Sequence, residues 1–325
     1  MPPAYGMLKL SEVKAILREY NIRPSKRFGQ NFLIDQNIKN KIIGSMQLKK
    51  EDIALEIGPG LGALTEDLSK KARMLIAVEK DKRLYDYLRG VIARGAFKCS
   101  NRSGRGRNVR GSAESSGRGQ SHLELINDDI LKYLKSVGIE QCSVPTKLII
   151  VGNLPYSISS PILKKLIDNR SSIKSLYATV QAEFGERIVA LPGTKDYGSL
   201  SCYAQFYGEP KILFKIPKGA FFPVPEVDSC FLKIGFEKQL DSSIDQSLLF
   251  KIIRSSFEKR RKTILNSMAS SGIFKSKQDA LLRLTKAQIS PTRRPETISL
   301  QEFIKLSATS RDSTPCCPCA AIKSR

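Results

Sequence analysis

Residues 53–62 read Ile-Ala-Leu-Glu-Ile-Gly-Pro-Gly-Leu-Gly, a mostly apolar run that ends in three alternating glycines. The run predicts a buried strand, and the glycines predict a tight turn whose backbone can approach a ligand closely. A helix is expected from this turn to about Lys71, and a second strand over residues 74–79. The resulting β-α-β unit predicts a small-molecule pocket at the turn.

The rest of the chain continues this alternation of strands and helices. Further strands are predicted at residues 123–126, 147–151, 175–181, 211–216 and 230–236. The pattern favours an α/β fold, in which helices cover both faces of a mostly parallel sheet and the last strand can pair antiparallel. From about Ser247 the periodicity is helical. We therefore predict a catalytic domain over residues 1–240 and a small helical domain over residues 241–306.

Two segments lack the apolar side chains that a packed core requires. Residues 98–121, KCSNRSGRGRNVRGSAESSGRGQS, are rich in Gly, Ser and Arg, and residues 307–325 are similar in character. Chains of such composition cannot offset the entropy lost on ordering, so we predict a disordered insertion and a disordered tail. The arginines of the insertion could form a flexible RNA-binding arm, or the insertion could be a solvated spacer.

The composition favours a polyanionic partner. The 325 residues include 54 Lys and Arg against 31 Asp and Glu, a formal net charge of +23. Such a field attracts nucleic acid. Seven cysteines, an odd number, argue for a reducing compartment, and neither a signal peptide nor a membrane-spanning run is apparent. A cytoplasmic protein without a membrane partner is expected.

The cysteines near the C-terminus raise the question of a metal site. Cys316, Cys317 and Cys319 form a Cys-Cys-x-Cys motif. His122 is the only histidine, and we place it in the insertion, so a complete four-ligand zinc site is not expected. The prediction is that the protein binds no metal.

Acidic residues end two of the predicted strands. Glu79 comes about twenty residues after the glycine turn, where its carboxylate can accept hydrogen bonds from two ribose hydroxyls. Asp129 follows the third strand and could bond an adenine amine; Asp128 is an alternative, and either could instead cap a helix. The third glycine of the turn comes one residue earlier than in the dinucleotide-binding pattern. This spacing disfavours a dehydrogenase and is typical of S-adenosylmethionine sites.

A motif suited to amine methylation, Asn153-Leu154-Pro155-Tyr156, lies at the carboxyl end of a predicted strand. An exocyclic amine is a poor nucleophile because its lone pair is delocalised into the ring, so acceptors around its hydrogens favour pyramidalisation. The Asn153 oxygen and the Leu154 carbonyl can be those acceptors, and Tyr156 can stack on an unpaired base. No strong general base is required, because alignment of the amine with the methyl group supplies most of the rate. The alternative is a proline turn with a buried tyrosine.

A loop over residues 221–229, which contains two prolines, precedes the final strand. Phe221 is a candidate for gripping a target base opposite or edgewise to Tyr156. For Phe222 we favour packing in the core.

Together these elements resemble the family of small-subunit ribosomal RNA adenine dimethyltransferases, which shares its catalytic fold with macrolide-resistance methyltransferases that act on large-subunit RNA. The resemblance spans nearly the whole chain, from residues 26–33 (KRFGQNFL) to residues 255–263 (SSFEKRRKT). It implies a Rossmann-like S-adenosylmethionine-dependent methyltransferase sheet with a small C-terminal helical domain. The predicted insertion departs from the family, which usually has a short connection there.

The resemblance also implies roles for individual residues. The cofactor would be lined by Asn31, Leu33, Gly58, Gly60, Glu79, Asp129 and Asn153. The adenine would be handled by Asn153, Leu154, Tyr156 and Phe221. Arg260, Arg261 and Lys262 in the helical domain would meet RNA phosphates, although a solvated basic helix face is the alternative.

The implied reaction is dimethylation of two adjacent adenosines near the 3′ end of small-subunit (16S) ribosomal RNA, with S-adenosylmethionine as methyl donor. The partner would be this RNA or the pre-ribosomal small subunit, and a monomer is expected. Residues 257–263 resemble the small-subunit family more than the resistance enzymes. A large-subunit adenine methyltransferase is the enzymatic alternative. A ribosome-assembly factor without catalysis is the alternative from another class, against which the intact glycines and residues 153–156 argue.

Overall fold

The computed structural model describes residues 8–24, 29–95, 100–101, 122–136, 147–259 and 261–309. These residues form two compact units. The first comprises the described residues up to Glu186 together with Gly208–Lys238, and the second comprises Arg187–Tyr207 together with the described residues from Gln239 onwards. Both units are therefore built from two stretches of chain.

The first unit is built around one large sheet. The strands are β1 (Phe32–Leu33), β2 (Ile53–Ile57), β3 (Met74–Glu79), β4 (Ser100–Asn101), β5 (His122–Asn127), β6 (Leu148–Asn153), β7 (Ile173–Gln181), β8 (Glu209–Ile216), β9 (Phe221–Phe222) and β10 (Ser229–Gly235). The helices are α1 (Leu10–Glu19), α2 (Gln36–Ser45), α3 (Thr65–Lys71), α4 (Lys82–Ala93), α5 (Ile130–Ser136), α6 (Ser159–Asp168) and α7 (Ala182–Val189), the last of which ends in the second unit.

The large sheet has the strand order β4-β5-β3-β2-β6-β7-β10-β8. The first six strands in this order, from β4 at the edge to β7, pair in parallel with their neighbours. Strand β10 is antiparallel to both of its neighbours, β7 and β8. The remaining strands, β1 and β9, form a two-residue antiparallel pair. The strand order changes direction between β2 and β6, and ligands of such sheets bind outside the carboxyl ends of the strands at this switch point. The fold therefore predicts a site at the ends of β2, β3 and β6.

The central strands are apolar because both of their faces are covered. All five residues of β2 are buried, as are the first five of β6. Parallel strands in such a position lack the alternating pattern of half-exposed strands. One buried residue of β2, Glu56, is acidic, and the strand register places it on the same face of the sheet as Glu79 and Asn153.

The second unit is helical. Its helices are α8 (Ser199–Tyr207), α9 (Gln246–Glu258), α10 (Ile264–Ala269), α11 (Lys277–Lys286) and α12 (Leu300–Thr309). The ring of Phe250 in α9 packs at centroid distances of 5.1, 5.3 and 5.5 Å against the rings of Tyr203, Phe206 and Tyr207 in α8. Across the described ranges of both units, every helix is too short or too polar to cross a membrane.

The α/β fold with a mostly parallel sheet is confirmed, and β2 and β3 have the bounds that the sequence predicted. The domain division differs from the prediction in two respects. Residues 187–207, which we assigned to the catalytic domain, group with the second unit, because the aromatic side chains of α8 pack on α9. In addition, α12 continues to Thr309, so the first residues of the predicted tail are helical.

Most of the predicted insertion, residues 98–121, lies outside the described residues. Ser100–Asn101 are described and pair in parallel with β5. His122, which we placed in the insertion, begins β5 instead. It pairs in register with Met74 of β3, so this part of the prediction was wrong.

Gly152 in β6 offers a test of the packing between β6 and β2. A Cβ at this position would lie 2.7 Å from the backbone oxygen of Ile57, which cannot turn aside as a side chain could. Gly152→Ala should therefore lower the free energy of unfolding by about 2 kcal/mol or more, measured by thermal and denaturant unfolding. Gly44→Ala in α2 is the matched control: nothing lies within 4 Å of the new methyl group, and alanine favours a helix by up to about 1 kcal/mol. Wild-type stability of Gly152→Ala would contradict this account.

Candidate active site

A cavity of about 460 Å³ opens at the carboxyl ends of β2, β3 and β6, a volume typical of small-molecule sites. The predicted site residues that line it are Asn31, Leu33, Gly58, Gly60, Glu79, Asp129, Asn153 and Phe221. Residues that are far apart in the sequence thus converge on one cavity. Leu154 and Tyr156 adjoin the lining residues Asn153 and Pro155 in the chain without lining the cavity themselves.

The glycine turn joins β2 to α3. Gly58 and Gly60 have φ angles of +64° and +59°, a left-handed conformation that side chains other than glycine rarely adopt. The Gly58 N–H donates to the Val78 carbonyl at 2.9 Å, which ties the turn to β3. A Cβ on Gly60 would lie 3.3 Å from the Phe32 ring. Gly60 is therefore required both for its backbone conformation and for its packing.

Glu79 ends β3 and is buried, with 5% of its surface exposed. Its Oε2 accepts the Gly60 N–H at 3.0 Å, and its Oε1 accepts the Asp81 N–H at 2.8 Å. Burial raises the pKa of Glu79, and these backbone donors offset only part of the rise. A carboxyl group has about four acceptor positions, so Glu79 can also accept a hydrogen bond from a hydroxyl such as those of a ribose.

A second buried carboxyl group, that of Glu56, lines the cavity, and the sequence patterns assigned it no role. The residue is 3% exposed, and its Oε2 has no hydrogen-bond partner among the described residues. Burial raises the pKa of Glu56 to about 8; the Thr65 hydroxyl offsets part of the rise, and the nearby Glu79 carboxyl group adds to it. A buried oxygen in a cavity wall can accept a hydrogen bond from a bound ligand, and the Thr65 hydroxyl is a donor within the protein for the same carboxyl group. An acidic residue within an apolar strand is the sequence feature that could have revealed it.

Asp129 lies just before α5. Its Oδ1 accepts the Leu131 N–H at 2.8 Å, as a helix cap would, and its Oδ2 pairs with Lys80 Nζ at 2.7 Å. Burial opposes ionisation of this carboxyl, but the Lys80 ammonium and the backbone donors outweigh it and hold the pKa of Asp129 below its usual value. Asp128 also lines the cavity and accepts the Asp129 N–H at 2.7 Å. Both residues are therefore fixed in the cavity wall.

Asn153 is the last residue of β6. Its Nδ2 donates to the Asn31 carbonyl at 2.8 Å, so its side-chain oxygen is the atom that can accept a hydrogen bond from a ligand. The buried Leu154 donates its N–H to the Thr179 carbonyl at 3.0 Å. The two predicted amine acceptors are therefore held in place by backbone contacts on either side.

The two aromatic residues predicted to hold a base have different surroundings. Tyr156 is half-buried, its hydroxyl forms a 2.8 Å hydrogen bond with Ser229, and burial raises its pKa. Phe221 is 1% exposed and lines the cavity. Phe222, which we assigned to the core, is the less buried of the two phenylalanines and has the Lys14 ammonium 5.5 Å from its ring centre.

The basic residues predicted to meet RNA belong to the second unit. Arg261 and Lys262 are exposed between α9 and α10. Arg260 and the cysteine motif near the C-terminus lie outside the described residues. Among the residues that the structure describes, no group of His, Cys, Asp and Glu side chains is arranged to hold a metal ion.

The cavity is acidic although the protein is basic. Its lining includes the acidic residues Glu66, Glu79, Asp81, Asp128 and Asp129, besides Glu56 with its raised pKa, and the basic residues Lys39 and Lys80. The Lys39 ammonium is itself paired with Asp67 at 2.7 Å. Such a lining suits a small cationic ligand that carries hydroxyl groups and disfavours an RNA phosphate.

Glycine turns of this kind, followed by an acidic residue at the end of the next strand, occur in the Rossmann-like methyltransferases that use S-adenosylmethionine, a cation that suits the acidic cavity. The fold and the site place the chain in this class. Residues 21–95 and 112–307 match the model of the family described as ribosomal RNA adenine dimethylase. The chain belongs to this family, whose methyl donor is S-adenosylmethionine. The family model leaves residues 96–111 unmatched, and most of these lie in the predicted insertion.

Relatives and solved structures match most of the chain. The ribosomal RNA small subunit methyltransferase A of Moorella thermoacetica is 38% identical over 302 residues, which cover 91% of this chain and 95% of the relative. The protein of the same name from Shouchella clausii is 38% identical over 300 residues, with coverage of 91% and 93%. The structure of a dimethyladenosine transferase from Plasmodium falciparum aligns with a TM-score of 0.65 at 23% identity, covering 85% of this chain and 95% of that one. The 23S rRNA methyltransferase ErmE aligns with a TM-score of 0.60 at 21% identity, covering 86% and 99%. The two solved structures share the fold.

The raised pKa of Glu56 predicts a pH-dependent stability. With a folded pKa of about 8 against a usual value of 4.5, the folded protein keeps a proton that the unfolded chain releases. The resulting stabilisation is complete below the unfolded pKa and is lost as the pH rises through the folded one. Glu56→Gln, which mimics the protonated acid, should therefore gain on the order of 2 kcal/mol over wild type between about pH 5 and pH 8.5.

Thermal unfolding without cofactor at several pH values would measure this difference between Glu56→Gln and wild type. Glu51→Gln, which removes an exposed carboxylate, is the control, and its stability should vary with pH in parallel with that of wild type. If the stability of Glu56→Gln also varied with pH in parallel with that of wild type, Glu56 would be ionised in the folded protein at neutral pH.

Proposed function

We propose that this protein transfers methyl groups from S-adenosylmethionine to N6 of two adjacent adenosines near the 3′ end of small-subunit ribosomal RNA, and leaves each adenosine dimethylated. Membership of the adenine dimethylase family and the names of the 38% identical relatives support this substrate. One observation carries the proposal: the hydrogen bond from Asn153 Nδ2 to the Asn31 carbonyl fixes the Asn153 side chain at the cavity and leaves its oxygen as an acceptor.

The described residues fit the cofactor in chemistry and in space. Gly58 and Gly60 keep the turn free of side chains, and the buried Glu79 can accept a hydrogen bond from a ribose hydroxyl. Asp129 is a fixed carboxylate that can accept from an adenine amine, and the unpaired oxygen of Glu56 can accept from an ammonium group. Asn31 and Leu33 complete this set of lining residues. When bound, the cofactor supplies an electrophilic methyl group on a positively charged sulfur.

The protein's part in the chemistry is to present the target amine. Asn153 and Leu154 accept hydrogen bonds from the amine hydrogens, which draws the nitrogen lone pair away from the ring and towards the methyl group. Holding the amine in line replaces an encounter in solution, an effect worth roughly 7 to 11 kcal/mol in favourable cases. A base with a tuned pKa is not needed, because the nitrogen, which becomes positively charged as it accepts the methyl group, can lose its proton to water afterwards.

Two aromatic rings and a basic surface would hold the RNA. Tyr156 is anchored through its hydroxyl to Ser229, which leaves its ring to stack on a base that has left its helix. Phe221 contributes a second ring from the cavity wall. The exposed Arg261 and Lys262 would contact phosphates, within the strongly basic field of the chain.

The proposal extends to the partner and the location. The proposed partner is small-subunit ribosomal RNA, free or within the pre-ribosomal particle, and the proposed location is the cytoplasm. A monomer suffices, because all residues of the proposed cofactor site come from the first unit of one chain.

The deciding experiment is transfer of labelled methyl groups from S-adenosylmethionine to unmethylated small ribosomal subunits, with large subunits in parallel and nucleoside analysis of the product. Dimethyladenosine in small-subunit RNA alone is the expected result. Label in large-subunit RNA would instead support the alternative enzyme, and cofactor binding without transfer to either subunit would support an assembly factor.

Asn153→Ala tests the amine acceptor. We expect transfer to fall by about 100-fold, as for loss of a hydrogen bond made in the transition state, while cofactor binding is partly kept. Initial rates and calorimetric cofactor affinities would separate the two effects. Asn40→Ala, which removes an exposed amide from α2, is the control. Unchanged turnover of Asn153→Ala would remove this residue from the mechanism.

The two phenylalanines can be told apart by conservative substitution. Because Phe221 is buried, Phe221→Ala would leave a void and weaken the fold by about 3 kcal/mol or more, so Phe221→Leu is the better variant. We expect Phe221→Leu to raise KM for RNA at least about fivefold with cofactor affinity unchanged, the size of one aromatic stacking contact. Phe222→Leu should have a smaller effect. Equal RNA affinity and rate in Phe221→Leu and wild type would refute the base contact, and a larger loss in Phe222→Leu would reassign it.

A further inference from the structure

The segment Gly29–Asn31 spans the cavity between two walls that the cofactor would contact. At one wall, which carries Glu79, the side chain of the middle residue is held: Gln30 Nε2 donates to Asp81 Oδ2 at 3.0 Å. At the other wall, the Asn31 carbonyl accepts from Asn153 Nδ2 at 2.8 Å. Glu79 and Asn153 are therefore joined by a chain of hydrogen bonds that runs through this segment.

Asp81 is fixed at the Glu79 wall by two further hydrogen bonds. Its N–H donates to Glu79 Oε1 at 2.8 Å, and its Oδ1 accepts the Arg83 N–H at 2.9 Å as the N-cap of α4. The remaining oxygen, Oδ2, receives the Gln30 amide. A capped helix and a buried carboxyl thus hold the acceptor of Gln30 in one place.

The backbone of the segment is fixed at the Asn153 wall by close packing as well. Gly29 has a φ angle of +58°, and a Cβ there would lie 3.2 Å from both the Pro155 Cα and the Tyr156 N. The segment thus lies directly against the Asn153–Tyr156 loop. Displacing Gln30 from Asp81 would move the Asn31 carbonyl, to which the Asn153 side chain is bonded.

We propose that Gln30 is a positioning residue: its hydrogen bond to Asp81 holds the segment Gly29–Asn31 across the cavity and so sets the spacing between the Glu79 wall and the Asn153 wall. The affinity of a ligand that contacts both walls depends on this spacing. The affinity of a ligand that contacts only the Glu79 wall does not depend on it. The effect on methyl transfer rests on the proposed function, whereas the effect on cofactor binding does not.

A pair of isosteric substitutions tests the contact. Gln30→Glu places a second carboxylate against Asp81 and should break the bond by repulsion. Asp81→Asn keeps a side-chain oxygen for the α4 cap and the backbone N–H for Glu79. The Gln30 amide can then turn so that its oxygen accepts from the new amide nitrogen at position 81. In the double variant Gln30→Glu/Asp81→Asn the donor and the acceptor are exchanged, so the bond re-forms. Gln36→Glu makes the same charge change at an exposed site six residues further along the chain and is the control.

The measurement is cofactor affinity by calorimetry without RNA, followed by transfer rates at saturating cofactor. We expect Gln30→Glu to bind S-adenosylmethionine about tenfold more weakly, which is the size of one charge-assisted hydrogen bond, and the double variant to return to within about threefold of wild type. Adenosine alone, which would contact only the Glu79 wall, should bind all variants within about twofold. Transfer should fall in Gln30→Glu and recover in the double variant.

Wild-type cofactor affinity in Gln30→Glu, or a double variant as weak as the single one, would overturn the proposal. An equal loss of adenosine affinity would overturn it too, because it would mean general damage to the Glu79 wall. If the wild-type protein binds cofactor but methylates neither ribosomal subunit, the proposed function fails, while the affinities of the three variants still decide the role of Gln30.

Discussion

The hydrogen bonds that the buried carboxyl group of Glu79 accepts determine the architecture of the site. Its two oxygens draw in the N–H of Gly60 from the turn after β2 and the N–H of Asp81 from the start of α4. Two loops that are separate in the sequence are thereby brought to the end of one strand. The left-handed backbone of Gly60 is what lets its N–H reach the carboxyl group, so the glycine turn and the acidic strand end depend on each other.

The parts of the fold that local pattern determines could be predicted from sequence. The apolar runs at residues 53–57 and 74–79 are strands with those bounds. They could be recognised because a strand covered on both faces is apolar along nearly its whole length. The α8 region could not be assigned from local pattern. Its packing against the second unit, including the aromatic contacts with Phe250, involves residues that are distant in the sequence.

The site shows the same division between local and distant information. Residues at strand ends, such as Glu79 and Asn153, could be placed because parallel strands end at one edge of the sheet. Which of two adjacent phenylalanines is buried depends on pairing with β1, nearly two hundred residues earlier in the chain. The role of Gln30 was equally out of reach, because its partner Asp81 lies 51 residues away.

The hydrogen bond from the Asn153 amide nitrogen to Asn31 has a consequence for how the proposed reaction ends. It leaves only an acceptor to face the target, and an acceptor is satisfied by an amine that still carries hydrogen. An unmodified or singly methylated adenine can meet that need. A dimethylated one cannot, and an unsatisfied polar atom costs on the order of 1 to 3 kcal/mol. With Asn153 in its proposed role, the site would bind unfinished substrate more tightly than finished product, so completion of the reaction would itself promote release of the RNA.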